Sequence, residues 1–404
     1  MNRHCIAAPE VLLPAAGVDL YRWAVIACDQ HTSDAAYWRQ LEALVGDAPS
    51  TLRLTLPEIY LEEDCAARVE NIARTMRAYR DAGVFRKLEP GFILVERKTQ
   101  TAPLRTGVVI AVDLEAYSFE KKSSALIRAT EATIVERIPP RLKIREAAVM
   151  EFPHVMLLYD DPADSVLGPW KGAPLEVLYD TELNMGGGHV TGKRLPDTAA
   201  VISAFEKLEK GGMLFMVGDG NHSLATAKAA WDKIKGTLPE EEQEAHPARF
   251  ALCEAVNIHD AGIRFEAIHR LVKGVDAEGF SRAFAAYAKG EGSAALYAGG
   301  RGTGVRVPAA AAEAVAETDR IIAAYIAEHG GSVDYVHGEE ALRALTAENA
   351  GYVGIALPAM DKSELFDQVL RGGSLPRKTF SMGESEEKRY YMEGKEITNE
   401  THRL

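Results

Sequence analysis

Residues 211–236 read GGMLFMVGDGNHSLATAKAAWDKIKG, and this stretch predicts a strand, a tight turn and a helix in immediate succession. The apolar run 213–217 has the length of a buried strand, and two glycines, Gly218 and Gly220, flank Asp219 in the turn. The alanine-rich run that follows favours a helix. A buried strand that turns directly into a helix indicates a protein built from layers of sheet and helix.

The same alternation continues on both sides and predicts a mixed α/β (α+β) fold, with layered mixed sheets and flanking helices in two to three units. Candidate boundaries near 150 and 275 give an N-terminal region 1–150, a central region 151–275 and a C-terminal region 276–404. The glycine-rich run AGGRGTG at 298–304 predicts a loop between a strand and a helix. A helix is expected from Ala35, with Ser33 or Asp34 as its N-cap. Apolar patterning predicts further helices at 61–82 and 198–210, and further strands at 23–27, 91–96, 107–114, 155–159, 175–179, 250–258 and 352–357.

Charge and composition exclude some classes of partner. The chain has 404 residues and a net charge of −13, with 46 Lys and Arg against 59 Asp and Glu. Nucleic-acid binding depends on cationic side chains that neutralise phosphates, so this balance argues against a nucleic-acid partner. No apolar run approaches the roughly 18 residues of a membrane span, which predicts no membrane association. The four cysteines stand far apart without a CxxC pair, which favours reduced thiols and a cytoplasmic location.

The Gly-Asp-Gly turn and the start of the next helix form the first candidate site. Free amides at a helix N-terminus bind anions, which makes Gly220, Asn221 and Ser223 candidate phosphate-binding residues. Asp219 would act as a general base or a metal ligand, and His222 would donate to a phosphate or shuttle a proton. The alternative is structural: Asn221 or Ser223 caps the helix, and His222 packs beneath it.

A second candidate is the arginine-rich segment 122–150. Guanidinium groups bind phosphates and carboxylates in bidentate fashion, and Glu131 in the same segment is a candidate base. The alternative is a solvated surface of Arg–Glu pairs, although the Pro139-Pro140 break argues against a simple exposed helix. The candidate phosphate ligands among its arginines are Arg128 and Arg137.

A glycine run at 187–194, GGHVTGKR, matches the first part of a GxxxxGK phosphate-binding loop. Arg194 stands where that motif needs the Ser or Thr that ligates magnesium, and a Leu195-Pro196 break follows where a helix should begin. The run is therefore interpreted as a glycine-rich surface loop. Lys193 and Arg194 are its candidate substrate-covering, or lid, residues.

Two further polar groups follow predicted strands. Asp29-Gln30-His31 comes after the strand 23–27, and His269-Arg270 comes after the strand 250–258 and a polar turn. Each group suits either a turn or a site, and His269 and Arg270 are retained as candidate phosphate ligands. The sequence carries no GxSxG, no HExxH and no GxGxxG after a strand.

The order of these pieces resembles domain-of-unknown-function family 1015, from about residue 5 to about residue 395. The family's DGHHR element stands here as DGNHS at 219–223, with Asn221 and Ser223 in place of a histidine and the arginine. Its HExT element stands as TEAT at 130–133, its THR element as IHR at 268–270 and its LPxKST element as LPRKT at 375–379. The family's turn is similar to the phosphate-binding turn of the ParB/sulfiredoxin superfamily, which includes free-serine kinases.

These residues predict a site for a phosphorylated small molecule, and the leading hypothesis is a small-molecule, amino-acid-like kinase or other phosphotransferase. Phosphoryl transfer needs cations around the moving group, a metal and a base, so the hypothesis includes Mg²⁺ and a nucleotide, ATP or ADP. The alternative is a non-catalytic ligand-binding or sensor protein that uses the same anion pocket. A transferase should need both the carboxylates and the basic groups, whereas a binder should need mainly the basic groups and the turn amides.

Overall fold

The computed structural model describes residues 5–61, 65–102, 104–131, 133, 138–383 and 385–399. The chain divides into two compact units, of which the first comprises residues 1–263 and 384–404 and the second comprises residues 264–383. The predicted boundary near 275 lies close to the start of the second unit. The predicted boundary near 150 falls inside the first unit, because strands from both sides of residue 150 pair within one sheet.

A mixed sheet forms the framework of the first unit. In order across the sheet, its described strands are β11 (Val177–Leu183), β12 (Gly188–Arg194), β5 (Ile93–Lys98), β6 (Arg105–Asp113), β14 (Phe250–Asn257), β10 (Met156–Tyr159), β13 (Phe215–Asp219), β8 (Ile127–Ala129) and β7 (Tyr117–Ser118), with β1 (Ile6–Ala7) paired to β6. Strand β10 is parallel to β14, β13 is parallel to β8, and β8 is parallel to β7. The other pairings are antiparallel.

Both faces of the sheet are buried at its central strands, although the edge strands β11 and β12 are partly exposed. Successive residues of a strand point to opposite faces, and in β5 Ile93 and Val95 pack into one hydrophobic core while Leu94 packs into the other. Strand β6 divides in the same way, with Val109 in the first core and Val108 in the second. Burial on both faces explains why these strands read as continuous apolar runs and not as alternating ones.

The helices of the first unit are α1 (Leu20–Trp23), α2 (Ala35–Val45), α3 (Ala66–Asp81), α4 (Ile138–Ala147), α5 (Thr198–Glu206), α6 (Asn221–Lys235) and α7 (Glu240–Gln243). Three short antiparallel ladders join distant parts of the chain. Their strands are β2 (Leu12–Pro14) with β4 (Phe85–Lys87), β3 (Val25–Ile26) with β21 (Tyr390–Tyr391), and β9 (Met150–Glu151) with β22 (Lys395–Glu396). The last two ladders bind the C-terminal segment to this unit.

The second unit is an antiparallel sheet with helices on both faces. Its strands, in order, are β17 (Arg301–Val307), β16 (Gly292–Ala298), β19 (Tyr352–Ala356), β15 (Phe265–Lys273) and β18 (Ser332–His337), with β20 (Phe380–Met382) paired to β15. Its helices are α8 (Ala277–Tyr287), α9 (Ala311–His329), α10 (Glu339–Glu348) and α11 (Leu365–Gly372). Phe284 and Ile322 from α8 and α9 pack with Val353 on one face, and Leu342 of α10 packs with Leu271 on the other.

The mixed α/β class predicted from the sequence is confirmed, and so is the start of α2. Asp34 caps α2, and its Oδ1 accepts hydrogen bonds from the amides of Ala36 and Tyr37 at 3.0 Å. The loop predicted at 298–304 is wrong, because only Gly299 and Gly300 turn the chain before β17 pairs with β16. Among the described helices, none has both the length and the apolar composition to cross a membrane.

Candidate functional site

Three chain segments bring polar groups to one end of the sheet. Strands β8 and β13 are parallel, with Ala129 opposite Val217, so both strands end at this edge. Strand β10 is antiparallel to β13 and starts at the same edge, with Met156 opposite Asp219. The Thr130 hydroxyl donates to the carbonyl of Val217 at 2.6 Å and fixes the end of β8 against β13. Glu131 follows the end of β8 by two residues and therefore lies in the segment that leaves this edge.

The turn after β13 requires glycine. Gly220 has a φ of 78°, a left-handed conformation that residues with a side chain rarely adopt. A Cβ at this position would also lie 3.0 Å from the Cα of Val155 at the start of β10. Gly220 is the N-cap of α6, and it has no side chain to accept from the first-turn amides. The alternative in which Asn221 or Ser223 caps the helix is therefore wrong, and the N-terminus of α6 is left without a side-chain cap.

Asp219 forms an ion pair with Lys388, at 3.0 Å between Oδ2 and Nζ. Its other oxygen accepts the amide of Gly220 at 2.9 Å, so the carboxylate lies directly at the start of α6. Burial lowers the pKa of Lys388, but the charge and hydrogen bond of Asp219 outweigh burial and raise it above its usual range. The lysine is therefore a permanent cation. Asp219 and Lys388 keep 20% and 15% of their side-chain surface exposed, which leaves the pair accessible to a ligand.

A second acid–base group lies beside the turn. The Nε2 of His154 is 3.5 Å from Oδ2 of Asp29, and its Nδ1 is 2.8 Å from the hydroxyl of Tyr391. That hydroxyl accepts the amide of Cys28 at 2.9 Å. Burial alone would lower the pKa of His154, but the Asp29 carboxylate raises it. Burial alone would raise the pKa of Asp29, but the His154 charge holds it well below its usual range. Both partners are therefore stabilised in their charged forms.

A third pair completes the cluster. The Nε of Arg141 in α4 donates to Oε1 of Glu58 at 3.0 Å, and both side chains are mostly buried. Burial lowers the pKa of His154, whereas the negative charges of Asp29, Asp219 and Glu58 raise it. The three ion pairs therefore interact electrostatically through His154. We call Asp29, Glu58, Arg141, His154, Asp219 and Lys388 the charge cluster.

The structure assembles some of the predicted residues and separates others. Asp219, Gly220, Asn221, His222 and Ser223 form the end of β13 and the first turn of α6. The side-chain oxygen of Asn221 is shielded from solvent and has no hydrogen-bond partner among the described residues. Arg137 lies outside the described residues.

Arg128 does not belong to the cluster. Its guanidinium donates to the carbonyls of Ala125 at 2.9 Å and Gly212 at 3.2 Å. Gly212 precedes β13 whereas Asp219 ends it, so this guanidinium faces the opposite end of the strand. The predicted role of Arg128 as a phosphate ligand beside the turn is therefore not supported by its position.

The lid interpretation of Lys193 and Arg194 is wrong. Residues 188–194 form strand β12, which pairs with β11 on one side and β5 on the other. Lys193 is bound to Glu96 of β5 at 2.8 Å. The glycines make room inside the fold, because a Cβ on Gly187 would lie 2.6 Å from the hydroxyl of Tyr390 and one on Gly192 would enter the ring of Tyr179. A strand paired on both sides is neither a phosphate-binding loop nor a mobile cover.

His269 and Arg270 lie on β15 in the second unit and have structural partners there. Arg270 has no exposed surface, and its guanidinium binds Asp319 at 2.8 and 3.0 Å. It also donates to the carbonyls of Arg377 and Lys378. The Nδ1 of His269 accepts the amide of Leu357 at 3.2 Å, and burial lowers the pKa of this histidine. The donors of Arg270 are thus used within the unit, which argues against its predicted role in binding phosphate.

Sequence reasoning missed several members of the cluster. His154 had a visible signal, since Pro153-His154 directly precedes a predicted strand, and Asp29 was noted only as a polar residue at a strand end. Lys388 had no such signal, and neither had Tyr391, the hydrogen-bond partner of His154, because they contact residues 169 and 237 positions away in the chain. No group of three or more His, Cys, Asp or Glu side chains in the described part of the chain is arranged to hold a metal ion.

Comparison with known proteins identifies a family. A family model described as "Protein of unknown function (DUF1015)" matches residues 12–372. No curated protein sequence matches the chain. Among solved structures, a free serine kinase variant in complex with ADP is 12% identical, with a TM-score of 0.40 over 72% of this chain and 93% of that one. SbnI with a C-terminal truncation, from Staphylococcus aureus, is 10% identical, with a TM-score of 0.36 over 68% and 82%. A conserved hypothetical protein from Pyrococcus furiosus is 12% identical, with a TM-score of 0.35 over 72% and 96%.

Proposed function

This chain belongs to the family described as protein of unknown function (DUF1015), and from that premise we propose that it is a phosphotransferase acting on a small molecule. The observation that carries the proposal is the Asp219–Lys388 ion pair directly at the N-terminus of α6, where the N-cap residue is a glycine and provides no side-chain cap. Helix amides and a lysine together form a site for a phosphate group. The adjacent carboxylate supplies a base.

Lys388 and the first-turn amides of α6 bind the phosphate in this proposal, and Asn221 binds another part of the ligand. The amides of the first turn of α6 point along the helix axis toward the turn, and the helix dipole adds partial positive charge there. Lys388 exchanges part of its contact with Asp219 for a phosphate oxygen, which its three ammonium hydrogens allow without loss of charge. The side-chain oxygen of Asn221, which lacks a partner among the described residues, accepts from a ligand hydroxyl.

The carboxylates of the turn carry the chemistry. Asp219 removes the proton from the acceptor hydroxyl as the new O–P bond forms, the bond to the nucleoside diphosphate breaks, and ADP leaves with the electron pair. Glu131, two residues after the end of the neighbouring strand β8, is the second candidate base. Asp219 and Glu131 would be the residues to hold a Mg²⁺ ion, which would offset negative charge on the transferred phosphate.

His154 acts as a positioning residue. Both of its ring nitrogens have partners, Asp29 and Tyr391, so it has no free nitrogen for a substrate proton. It instead fixes the Asp29 carboxylate at the edge of the site. Asp29 keeps 26% of its side-chain surface exposed and is therefore within reach of a ligand cation or hydroxyl.

ADP release from Mg·ATP, measured with pools of hydroxyl-bearing metabolites, tests the proposal. Wild-type protein should release ADP only with a matching pool, Asp219→Asn should lose at least about 100-fold in rate, and Lys388→Met should mainly raise the KM for ATP. Lys171→Met, which breaks another Asp–Lys pair of the same unit, is the control. A wild-type protein that binds nucleotide but releases no ADP with any pool would favour the sensor alternative.

A further inference from the structure

A group of buried charges in the first unit is not used by the proposed function. Arg97 on β5, Arg105 on β6, Glu254 on β14, and Arg389 and Glu393 of the C-terminal segment are each at most 6% exposed. The side chain of Glu254 fits because residue 107 on β6 is a glycine: a Cβ there would lie 2.5 Å from Oε1 of Glu254. Full burial of five ionised side chains is costly unless their charges are balanced.

The charges in this group do not balance. Glu254 binds Arg105 at 3.2 Å and Arg389 at 2.9 Å, and Glu393 binds Arg389 at 2.6 Å. Within the part of the chain that the structure describes, the Arg97 guanidinium donates only to carbonyls, those of Gly187, Glu386 and Lys388, and to no carboxylate. The five side chains therefore carry three positive and two negative charges.

A small cavity lies among these side chains. It has a volume of about 20 Å³ and is lined by the five charged residues together with Tyr179, Tyr390 and apolar side chains. The Nε of Arg105 is buried and has no hydrogen-bond partner among the described residues. Burial, and to a smaller extent the neighbouring Arg105, lower the pKa of Arg97 to about 10. Arg105, whose Nε is an unused donor, thus lines the cavity together with the guanidinium-bearing Arg97 and Arg389.

We propose that this cavity binds one chloride ion. A space of about 20 Å³ is large enough for a water molecule or a monatomic anion. Of the two occupants that fit, the anion offsets the unbalanced guanidinium charge and accepts the Arg105 hydrogen, whereas water leaves the charge unbalanced. The site is separate from the phosphate site at the start of α6, and the proposal does not depend on the function proposed for that turn.

Anion substitution tests the proposal in the full-length protein. We expect the melting temperature to rise when potassium chloride replaces potassium gluconate at constant ionic strength, because an ion that binds the folded state stabilises it. The same rise should occur in Lys388→Met, which separates this cavity from the phosphate site. A crystal soaked in bromide should show an anomalous peak among Arg97, Arg105 and Arg389.

A matched pair of variants localises the effect. Arg97→Met removes the unbalanced charge and should abolish the chloride dependence, whereas Arg86→Met, which removes a guanidinium bound to the Leu178 carbonyl, should keep it. If Arg97→Met does not fold, the bromide experiment decides. Absence of a bromide peak in the cavity, or a melting temperature equal in the two salts, would overturn the proposal.

Discussion

Among single residues, Gly220 is the one whose identity the backbone of the candidate site requires. Its left-handed φ of 78° and its approach to Val155 both exclude a side chain. Gly220→Ala should lower the free energy of unfolding by about 1–3 kcal/mol, from backbone strain and crowding together. Urea denaturation measures the change. Gly236→Ala is the matched control at the other end of α6, where φ is −63° and the new Cβ makes ordinary contacts, so it should stay within about 0.5 kcal/mol of wild type. Equal losses in both variants would contradict this account.

The His154–Asp29 pair predicts a pH dependence. The pKa of His154 is raised in the folded protein, so its contribution to stability is complete below its unfolded pKa of about 6.5 and is lost as the pH rises through the raised value. The pKa of Asp29 is lowered, so its contribution is complete above about pH 3.9 and is lost as the pH falls. The difference in unfolding free energy between wild type and His154→Gln should therefore be largest near pH 5–6 and should shrink toward pH 9. A difference that grows with pH in urea titrations would refute the assignment of charges.

Residue types and their order predicted the turn but not its partners. Asp219, Gly220 and the helix start could be predicted because strand, glycine turn and helix are local features. The pairing of Asp219 with Lys388 depends on two segments 169 residues apart, and no local pattern marks which lysine will reach the turn. Arg270 is the opposite case. Its position after a polar turn predicted a phosphate-binding arginine, but its guanidinium is bound to Asp319 within the second unit.

At the scale of elements, strand β12 shows why glycine runs mislead. Gly187 and Gly192 were expected to give a loop, yet they lie in or beside a paired strand because the rings of Tyr390 and Tyr179 occupy the space of the missing side chains. Sequence patterning does not distinguish a glycine that allows backbone freedom from one that accommodates a neighbouring ring.

Lys193→Met tests this reassignment of β12. Because Lys193 is paired with Glu96 on the partly exposed sheet, its loss should cost no more than about 1 kcal/mol of unfolding free energy. Nucleotide binding, measured by calorimetry, should be unchanged. A loss of nucleotide affinity without a change in stability would instead restore the lid interpretation.

At the scale of the whole molecule, the second unit is one continuous segment with its own core. Residues 264–383 contain a complete antiparallel sheet with apolar clusters on both faces. We therefore expect a protein of residues 264–383 to unfold cooperatively in urea, with a near-ultraviolet circular dichroism spectrum typical of packed aromatic residues. A spectrum without fixed aromatic signals would show that this segment needs the rest of the chain.

The first unit depends on both ends of the chain, which the sequence alone did not predict. Two to three units, with boundaries near 150 and 275, were expected, but the C-terminal segment returns to pair with β3 and β9 and supplies Lys388, Arg389 and Tyr391. Alternating strands and helices predicted the fold class. They did not predict which strands pair, because pairing depends on contacts between distant segments.

Calorimetric titration with Mg·ADP tests the central claim most directly, namely that the turn after β13 and Lys388 form the phosphate site. Wild-type protein should bind Mg·ADP, and Lys388→Met should weaken the affinity at least about tenfold, which corresponds to the loss of a charged hydrogen bond. Lys171→Met should bind as wild type does, and circular dichroism should show that both variants are folded. Equal affinity of Lys388→Met and wild type, or no binding by wild type, would contradict the account.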